Sequence, residues 1–424
     1  MGYYSDMGQF YIGKSISRFL KYSEYYLKTD VSYLVRSGLW SNMGTILITF
    51  GSLLLYIIFS RYLPKETYGT YQYLLSVGSI IGALTLTGMN AAVTRAVASG
   101  FEGSLVQSTL IQLKWSIVPT VCAWLVGLYY LHAGNPILGW GLVLIGIFVP
   151  LNSALNTYGA FLNGKKDFRR GFLFSLWWSI PYYTLVAVVA VFWKAALLLL
   201  VANLISQCIG LLVAYRLTIA TYKPSPKNDP DILRYGGHLS AMGLFGNIMS
   251  QIDNVLIFHF LGPVSLALYS FATAMPDRIG ALFKFIPVAA LPKFAGRSPS
   301  EIRVGLVRRL VIGTLISICF ALAYVVVAHP LFTLLFPTYI AAVPYSALYA
   351  FSLATLMSGV VVNALTAAGN IRSLYIYNLA SPFVLLVLQT VGIIFFGLWG
   401  LIVGRVLAQI LLFLFACLLY WRID

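Results

Sequence analysis

Apolar runs about 20 residues long recur throughout this chain, and they restrict its fold more than any other feature. A helix of that length spans the ~30 Å hydrocarbon core of a bilayer. Strands of a membrane barrel would instead show alternating polarity over ~10 residues, a pattern that the sequence lacks. Only 9% of the residues are charged, whereas soluble domains carry about 25%. The sequence therefore predicts an all-α integral membrane protein with about 12 transmembrane helices. The predicted spans are 40–60, 70–92, 110–131, 137–161, 172–193, 195–216, 238–261, 264–292, 308–329, 341–366, 374–396 and 399–421.

An internal repeat relates the two halves of the chain. Residues 61–71 (RYLPKETYGTY) lie between two apolar runs, and a similar pattern returns at residues 260–270 (FLGPVSLALYS). A weaker echo links Gly164 with Gly369, each followed by a proline-containing apolar run. Two echoes in the same order indicate a duplicated unit. The alignment pairs Tyr62-Leu63 with Phe260-Leu261, Thr67 with Ser265, Gly69 with Ala267, and Tyr71 with Tyr269.

The repeat predicts two pseudo-symmetric six-helix bundles, at residues 40–216 and 238–424, with helices 1 and 7 equivalent. Residues 217–237 form a polar, proline-containing linker between them. Residues 1–39 precede the first span, and part of this segment has apolar residues at helical spacing among lysines and arginines. Such a helix is suited to the membrane interface. We predict that residues 1–39 are a cytoplasmic or interfacial amphipathic segment.

Basic residues are distributed unequally between the predicted loops. The net charge is +16, and the predicted outer loops hold only Arg61, Lys65 and Lys194. The densest basic cluster, at residues 164–170, lies in a loop on the opposite side. Because basic loops stay cytoplasmic, we predict a multi-pass protein of the cytoplasmic (inner) membrane with both termini in the cytoplasm. The charge excess indicates topology and attraction to anionic lipid, with no nucleic-acid partner.

Ionisable residues within the predicted spans are candidate functional residues, because each costs roughly 2.5–3.5 kcal/mol at a helix centre. Asp277 and Arg278 are adjacent in the sequence and cannot face each other on a helix. Arg278 has two possible roles: an ion pair with Asp253 that holds the second bundle together, or contact with a substrate. The residues in question are Arg95, Asp253, Asp277, Arg278, Lys284 and Arg405.

Catalytic and cofactor patterns are absent from the sequence. The four histidines are far apart, and none is paired with Cys or Glu at metal-ligand spacing. Residues 8–15 match G-x-x-x-x-G-K-S, but a phosphate-binding loop needs a preceding strand and a surrounding sheet. The four cysteines lie within apolar spans and are predicted to be small core residues. We predict that the protein is not an enzyme and uses no cofactor.

Short motifs near the ends of the predicted spans resemble those of a known family. They are Gly38-Leu39-Trp40, residues 63–71, Gly88-Met89-Asn90 with Arg95, Asp253-Asn254, Leu261-Gly262, Tyr269, and residues 335–339. With them the chain resembles the bacterial and archaeal polysaccharide (O-antigen-type) flippases of the multidrug/oligosaccharidyl-lipid/polysaccharide exporter superfamily. That family usually has Leu-Gly where this chain has Leu63-Pro64, and Gly in place of Pro337.

The resemblance implies a MATE-like V of two six-helix lobes that alternates access to a central cavity. It also implies a substrate, an oligosaccharide on a polyprenyl diphosphate, that is carried from the cytoplasmic to the outer leaflet. The membrane potential would drive an anionic headgroup outward by roughly 2.3 kcal/mol per charge per 100 mV, and a coupling ion is an alternative. Other implied partners are the lipid bilayer and further polysaccharide-assembly proteins.

Arginine is suited to binding the diphosphate, because its planar fork matches phosphate oxygens. We predict that Arg278 and Arg405, with lesser contributions from other residues, make the cavity electropositive. The remaining predicted substrate-binding residues are Arg95, Lys284, Asp253, Asp277 and Asn254.

Two other functions fit parts of the pattern. A drug or organic-cation antiporter of the same superfamily would need carboxylates in its cavity, and Asp253 and Asp277 could serve. Intramembrane cations outnumber anions here, which favours an anionic substrate. A multi-spanning glycan polymerase or ligase would need a large outer loop, and no predicted outer connection is longer than about a dozen residues.

Overall fold

The computed structural model describes residues 31–283, 299–367 and 371–422, and these form helices joined by short connections. The predicted amphipathic segment at 1–39 is described only from residue 31 onward. The α helices are α1 (Val31–Tyr62), α2 (Lys65–Ala83), α3 (Met89–Ala98), α4 (Ser104–Trp115), α5 (Ile117–His132), α6 (Pro136–Leu155), α7 (Thr157–Gly164), α8 (Phe168–Phe192), α9 (Ala196–Tyr222), α10 (Ile232–Met249), α11 (Ile252–Phe283), α12 (Pro299–Leu335), α13 (Val343–Tyr349), α14 (Ser358–Ala367) and α15 (Ile371–Trp421). Two short 3-10 helices, Pro337–Ala342 and Ala350–Thr355, flank α13.

The prediction of an all-α membrane protein is confirmed. Within the described residues, nine helical ranges are long and apolar enough to cross a membrane. Two of them, Ile232–Ala281 and Arg372–Trp421, are 50 residues long. Each is interrupted by a glycine with non-helical backbone angles, Gly262 (φ 81°) and Gly397 (φ 59°). These glycines lie where the sequence places a boundary between two spans, while the total of about 12 spans stays a prediction.

Several predicted single spans are divided into two helices. The third predicted span is broken at Ser116, between α4 and α5. The Ser116 hydroxyl donates to the Leu113 carbonyl at 2.5 Å. Pro119 lies in the first turn of α5, where a missing N–H costs no helical hydrogen bond. Local side-chain bonding and proline placement therefore explain why an apolar run, read as one helix, forms two.

Helix packing divides the described chain into two groups that meet along α2 and α11. In the first group α8 packs on α1 and α9, and α6 packs on α2, α5 and α9. In the second group α11 packs on α13 and α15, and α14 packs on α15. The largest buried apolar cluster includes residues from both groups. The assignment of residues 40–216 and 238–424 to two bundles remains a prediction.

Two buried tyrosines, aligned by the sequence repeat, make related contacts. Tyr71 on α2 accepts a hydrogen bond from Asn203 on α9 at 2.9 Å. Tyr269 on α11 is hydrogen-bonded to Arg405 on α15. In the predicted numbering these contacts join helix 2 to helix 6 and helix 8 to helix 12. The contacts therefore lie at equivalent places in the repeat, although the partner is an amide in one half and a guanidinium in the other.

The linker is attached to the corner between α3 and α4. Asp229 accepts a hydrogen bond from Arg95 at 3.1 Å, and the Ser225 N–H donates to the Glu102 carboxylate at 3.3 Å. Glu102 also forms a hydrogen-bonded ion pair with Lys165. The hydrogen bond from Lys165 holds the pKa of Glu102 below its ordinary value. The linker therefore lies against the first group of helices.

Candidate functional site

A cavity of about 450 Å³ lies between the two groups of helices, and we call it the central cavity. Its walls come from α1, α2, the corner between α10 and α11, α11 itself, and α15. Most of its lining side chains are polar, which is unusual for a surface inside a membrane protein. Its charged lining residues are Asp253, Asp277, Arg278 and Arg405.

Arg405 is bound to Asp253 and Tyr269 at one side of the central cavity. The guanidinium Nη1 forms an ion pair with the Asp253 carboxylate and donates to the Tyr269 hydroxyl, which in turn donates to the same carboxylate oxygen. The side chain of Asp253 is 5% exposed and that of Arg405 is 23% exposed. A buried charge needs a partner of opposite sign. Each of these two charges is therefore compensated by the other.

Arg278 is held differently, by a carbonyl, a hydroxyl and an aromatic ring. Its Nη1 donates to the Ala274 carbonyl at 2.9 Å, and its Nη2 donates to the Ser52 hydroxyl at 3.1 Å. The guanidinium carbon lies 4.6 Å from the centre of the Tyr56 ring. The buried Nε has no hydrogen-bond partner within the described residues. Arg278 thus lines the cavity, and the ion pairs found in the described part of the chain do not include it.

The possible ion pair between Arg278 and Asp253 is not formed, and geometry explains why. Asp253 precedes the Gly262 break by nine residues, whereas Arg278 follows it by sixteen. At 1.5 Å per residue the two side chains differ in depth by about 10 Å. Arg405 reaches Asp253 from α15 instead.

Asp277 and Asn254 each have neighbours on another helix. Asp277 accepts a hydrogen bond from the Tyr349 hydroxyl on α13 at 2.8 Å. Asn254 donates from Nδ2 to the Ser76 hydroxyl on α2 at 2.9 Å, and its backbone N–H donates to Asp253. Asn254 therefore connects α11 to α2 across the boundary between the two groups of helices.

The structure does not bring every predicted binding residue to the central cavity. Arg95 lies on α3, where it pairs with Asp229 and stacks on Tyr235 with its guanidinium carbon 3.9 Å from the ring centre. Lys284 lies outside the described residues. The described lining residues include two arginines and two aspartates. Their formal charges sum to zero, so these residues do not give the cavity the predicted excess of positive charge.

A cluster of aromatic side chains fills the space at the predicted outer end of the central cavity. Phe271 stacks on Tyr339 with 3.7 Å between ring centres, and its ring centre is 5.1 Å from that of Tyr68. All three are buried. Tyr56 belongs to both this cluster and the cavity wall, since its ring is 5.2 Å from Phe271. Sequence analysis missed this cluster, because single aromatic residues in apolar spans look like lipid-facing residues.

Further contacts join the two groups of helices at the same end. Tyr73 on α2 stacks on Phe258 on α11 with 3.9 Å between ring centres. The Tyr130 hydroxyl lies 3.1 Å from His259 Nε2. Gly69 is so close to Pro263 that an added Cβ would lie 1.9 Å from the Pro263 carbonyl oxygen. The structure is therefore closed at this end.

Comparison with known proteins links the chain to polysaccharide biosynthesis. The model of a family described as "Polysaccharide biosynthesis protein" matches residues 34–296, which is more than half of the chain. A search of curated proteins found no match.

Solved structures share the fold at low sequence identity. The lipid II flippase MurJ in an inward closed conformation has a TM-score of 0.68 and 13% identity, over 90% of this chain and 87% of that chain. An inward-facing multidrug-resistance MATE family transporter has a TM-score of 0.66 and 15% identity, over 89% and 96%. A mutant of the Vibrio cholerae MATE transporter VcmN has a TM-score of 0.58 and 14% identity, over 92% and 96%. These TM-scores show a common fold, and at identities this low the similarity shows the fold alone.

Proposed function

Because this chain belongs to the polysaccharide biosynthesis protein family, we propose that it is a flippase for a polyprenyl-diphosphate-linked oligosaccharide. The substrate would move from the cytoplasmic to the outer leaflet of the inner membrane, by alternating access to the central cavity. The observation that carries this proposal is the position of Arg278, a cavity-lining arginine whose described contacts are neutral groups.

Arg278 has the chemistry to bind a diphosphate. A guanidinium has five N–H groups and no acceptor, and the described contacts occupy one N–H on Nη1 and one on Nη2. Each of these two nitrogens therefore keeps a second N–H for a phosphate oxygen. Such charge-assisted bonds are roughly twice as strong as neutral ones. Ser52 and the Tyr56 ring hold the guanidinium in place, which reduces the entropy lost on binding.

Arg405 would contribute less to the binding of an anion. Its charge is already compensated by Asp253, and its hydrogen bond to Tyr269 further restricts it. A diphosphate would have to compete with a buried carboxylate for this guanidinium. The proposal therefore assigns the main phosphate contact to Arg278 and a supporting position to Arg405.

Alternating access would open the end that is now closed. The aromatic cluster of Tyr68, Phe271 and Tyr339 and the stacked pair of Tyr73 and Phe258 join the two groups of helices there. In the proposed cycle these contacts separate when the substrate leaves toward the outer leaflet. Separating each aromatic pair would cost about 0.5–1.5 kcal/mol.

A binding experiment tests the proposal with undecaprenyl diphosphate as the probe. We expect the purified full chain to bind it more tightly than undecaprenol, which has the same tail and no phosphate. The Arg278→Ala variant should lose this preference. Arg278→Lys should keep part of it, because the charge remains and the fork is lost. The control is Arg309→Ala, since Arg309 is exposed on α12. Equal binding of both lipids by the unmodified chain would contradict the proposal.

An antiporter for organic cations is the second candidate, because two carboxylates, Asp253 and Asp277, line the central cavity. In that case a lipophilic cation such as tetraphenylphosphonium would bind to the purified chain, and the Asp277→Asn variant would bind this cation more weakly. Under the flippase proposal the cation does not compete with undecaprenyl diphosphate, and Asp277→Asn leaves the preference for the diphosphate intact.

A further inference from the structure

A second cavity, outside the central one, opens between α4, the end of α9 and the linker, and we call it the α4–α9 groove. Its volume is about 870 Å³. The lining residues that matter here are Val106, Gln107, Leu110, Lys114, Ile219 and Lys223. The proposed transport cycle assigns no role to any of them.

One face of α4 supplies an apolar wall of this groove. Val106, Leu110 and Lys114 follow one another at intervals of four residues, which places them on the same face of a helix. Val106 is 41% exposed and Leu110 is 53% exposed. The apolar surface continues beyond Lys114 to Ile117, which is 67% exposed at the start of α5. In a bilayer such a surface is in contact with acyl chains.

The groove also contains positively charged and polar side chains. Lys114 and Lys223 both line it, and both are exposed. Gln107 donates from Nε2 to the Asp229 carbonyl at 3.3 Å. Its Oε1 atom is buried and has no hydrogen-bond partner within the described residues. A buried amide oxygen without a donor is costly, so a ligand that fills the groove gains by supplying a donor there.

The linker forms one border of the groove, beside the start of α4. The Gly103 N–H donates to the Lys227 carbonyl at 3.0 Å. A Cβ added at Gly103 would lie 2.5 Å from Asn228 Oδ1, so the backbone of α4 lies directly against the linker. The ion pair of Glu102 with Lys165 holds the same corner. These tertiary contacts hold the linker, which includes Lys223, against the start of α4.

We propose that the α4–α9 groove binds an anionic phospholipid whose headgroup carries a hydroxyl group, the chemistry of phosphatidylglycerol. The phosphate lies between Lys114 and Lys223, and the headgroup extends from it past Leu110 and Val106 toward the linker, where its hydroxyl donates to Gln107 Oε1. An acyl chain continues from the phosphate past Ile117 toward the membrane interior. The positive charge of the groove excludes the predicted amphipathic segment at residues 1–39, which carries lysines and arginines, as its occupant. The linker is predicted to be cytoplasmic, so the lipid belongs to the cytoplasmic leaflet.

Native mass spectrometry of the purified full chain, with added lipid, tests this proposal. We expect one phosphatidylglycerol to bind with higher affinity than phosphatidylcholine. The Lys114→Gln/Lys223→Gln variant should bind it about 30-fold more weakly, since each lysine near an anionic headgroup contributes roughly fivefold. Lys166→Gln/Lys194→Gln is the matched control. This control removes two other exposed lysines that, like Lys223, have positive φ. The control variant should bind phosphatidylglycerol as tightly as the unmodified chain does.

Two further comparisons separate the parts of the proposal. Phosphatidylmethanol, an anionic lipid without a headgroup hydroxyl, should bind about fivefold more weakly than phosphatidylglycerol if Gln107 accepts a hydrogen bond. Leu110→Trp, which fills the groove and keeps both lysines, should also lose the lipid. Arg278→Ala should retain it, because the groove is independent of the central cavity. Equal phosphatidylglycerol binding by the lysine variant and its control would overturn the site.

Discussion

Asp253 and Arg278 lie on the same helix and line the same cavity, yet their surroundings have different consequences. Asp253 is almost fully buried and is compensated by Arg405. Arg278 is in contact with a hydroxyl, a carbonyl and a ring, none of which carries a formal charge. Removing one member of a buried pair leaves the other charge uncompensated, whereas an arginine with spare N–H groups can bind a substrate. The two residues should therefore respond differently to substitution.

The ion pair of Asp253 and Arg405 gives a prediction about stability. Arg405→Met alone leaves a buried carboxylate without its cation, which costs about 3–5 kcal/mol. Asp253→Asn added to Arg405→Met removes that charge, so the double variant should regain most of the lost stability. Thermal unfolding of the detergent-purified protein measures both effects. The single variant melting at the same temperature as the unmodified chain would show that the pair is not needed for the fold.

At the scale of elements, α2 approaches the Gly262 turn of α11 closely. Gly69 faces the Pro263 backbone, and a methyl group there would overlap the carbonyl oxygen. The residue that the repeat aligns with Gly69 is Ala267, which is buried on α11. The repeat thus has different side chains at this position because only α2 needs a glycine for the close approach.

Gly69→Ala should weaken the closed end by roughly 1–3 kcal/mol, the usual cost of overpacking. The readout is cross-linking of Tyr73→Cys with Phe258→Cys, in a background in which the four native cysteines are replaced. The stacked rings of Tyr73 and Phe258 place these positions within reach of a short cross-linker. We expect less cross-linked product in the Gly69→Ala variant. Gly159→Ala is the control, because no atom lies within 4 Å of the added methyl group, and an equal loss in both would refute the prediction.

At the scale of the whole molecule, the distribution of basic residues predicts the orientation in the membrane. If successive spans cross in opposite directions, the predicted topology places the residues between α5 and α6 and between α8 and α9 on one side. It places those around residues 164–170 and in the linker on the other. The proposed direction of transport depends on this orientation, because the central cavity with Arg278 must first open to the cytoplasm.

Cysteine labelling of intact cells measures the orientation directly. Cysteines at Ala133 and Lys194, which are exposed, should react with a membrane-impermeant maleimide. Cysteines at Lys166 and Lys227 should react only after the membrane is permeabilised. Labelling at Lys166 in intact cells would show that the topology is the reverse of the predicted one, and the proposed direction of transport would then be wrong.

Several features of this molecule could be predicted from the sequence because they depend on local composition. The apolar runs predict membrane helices, and the turns at Gly262 and Gly397 coincide with the ends of such runs. The candidate residues Asp253, Asp277, Arg278 and Arg405 stand out because charges are rare within the apolar spans, and all four line the central cavity.

By itself the sequence determined the class of fold, the approximate spans and a short set of charged residues within them, since hydropathy acts through each residue's own side chain and near neighbours. Only the tertiary structure decided the partners. Arg405 pairs with Asp253 across 152 positions, and Arg95 pairs with Asp229 across 134, which removes Arg95 from the central cavity. Such pairings follow from how the helices pack, and helix packing depends on side-chain shape along whole faces rather than on local composition.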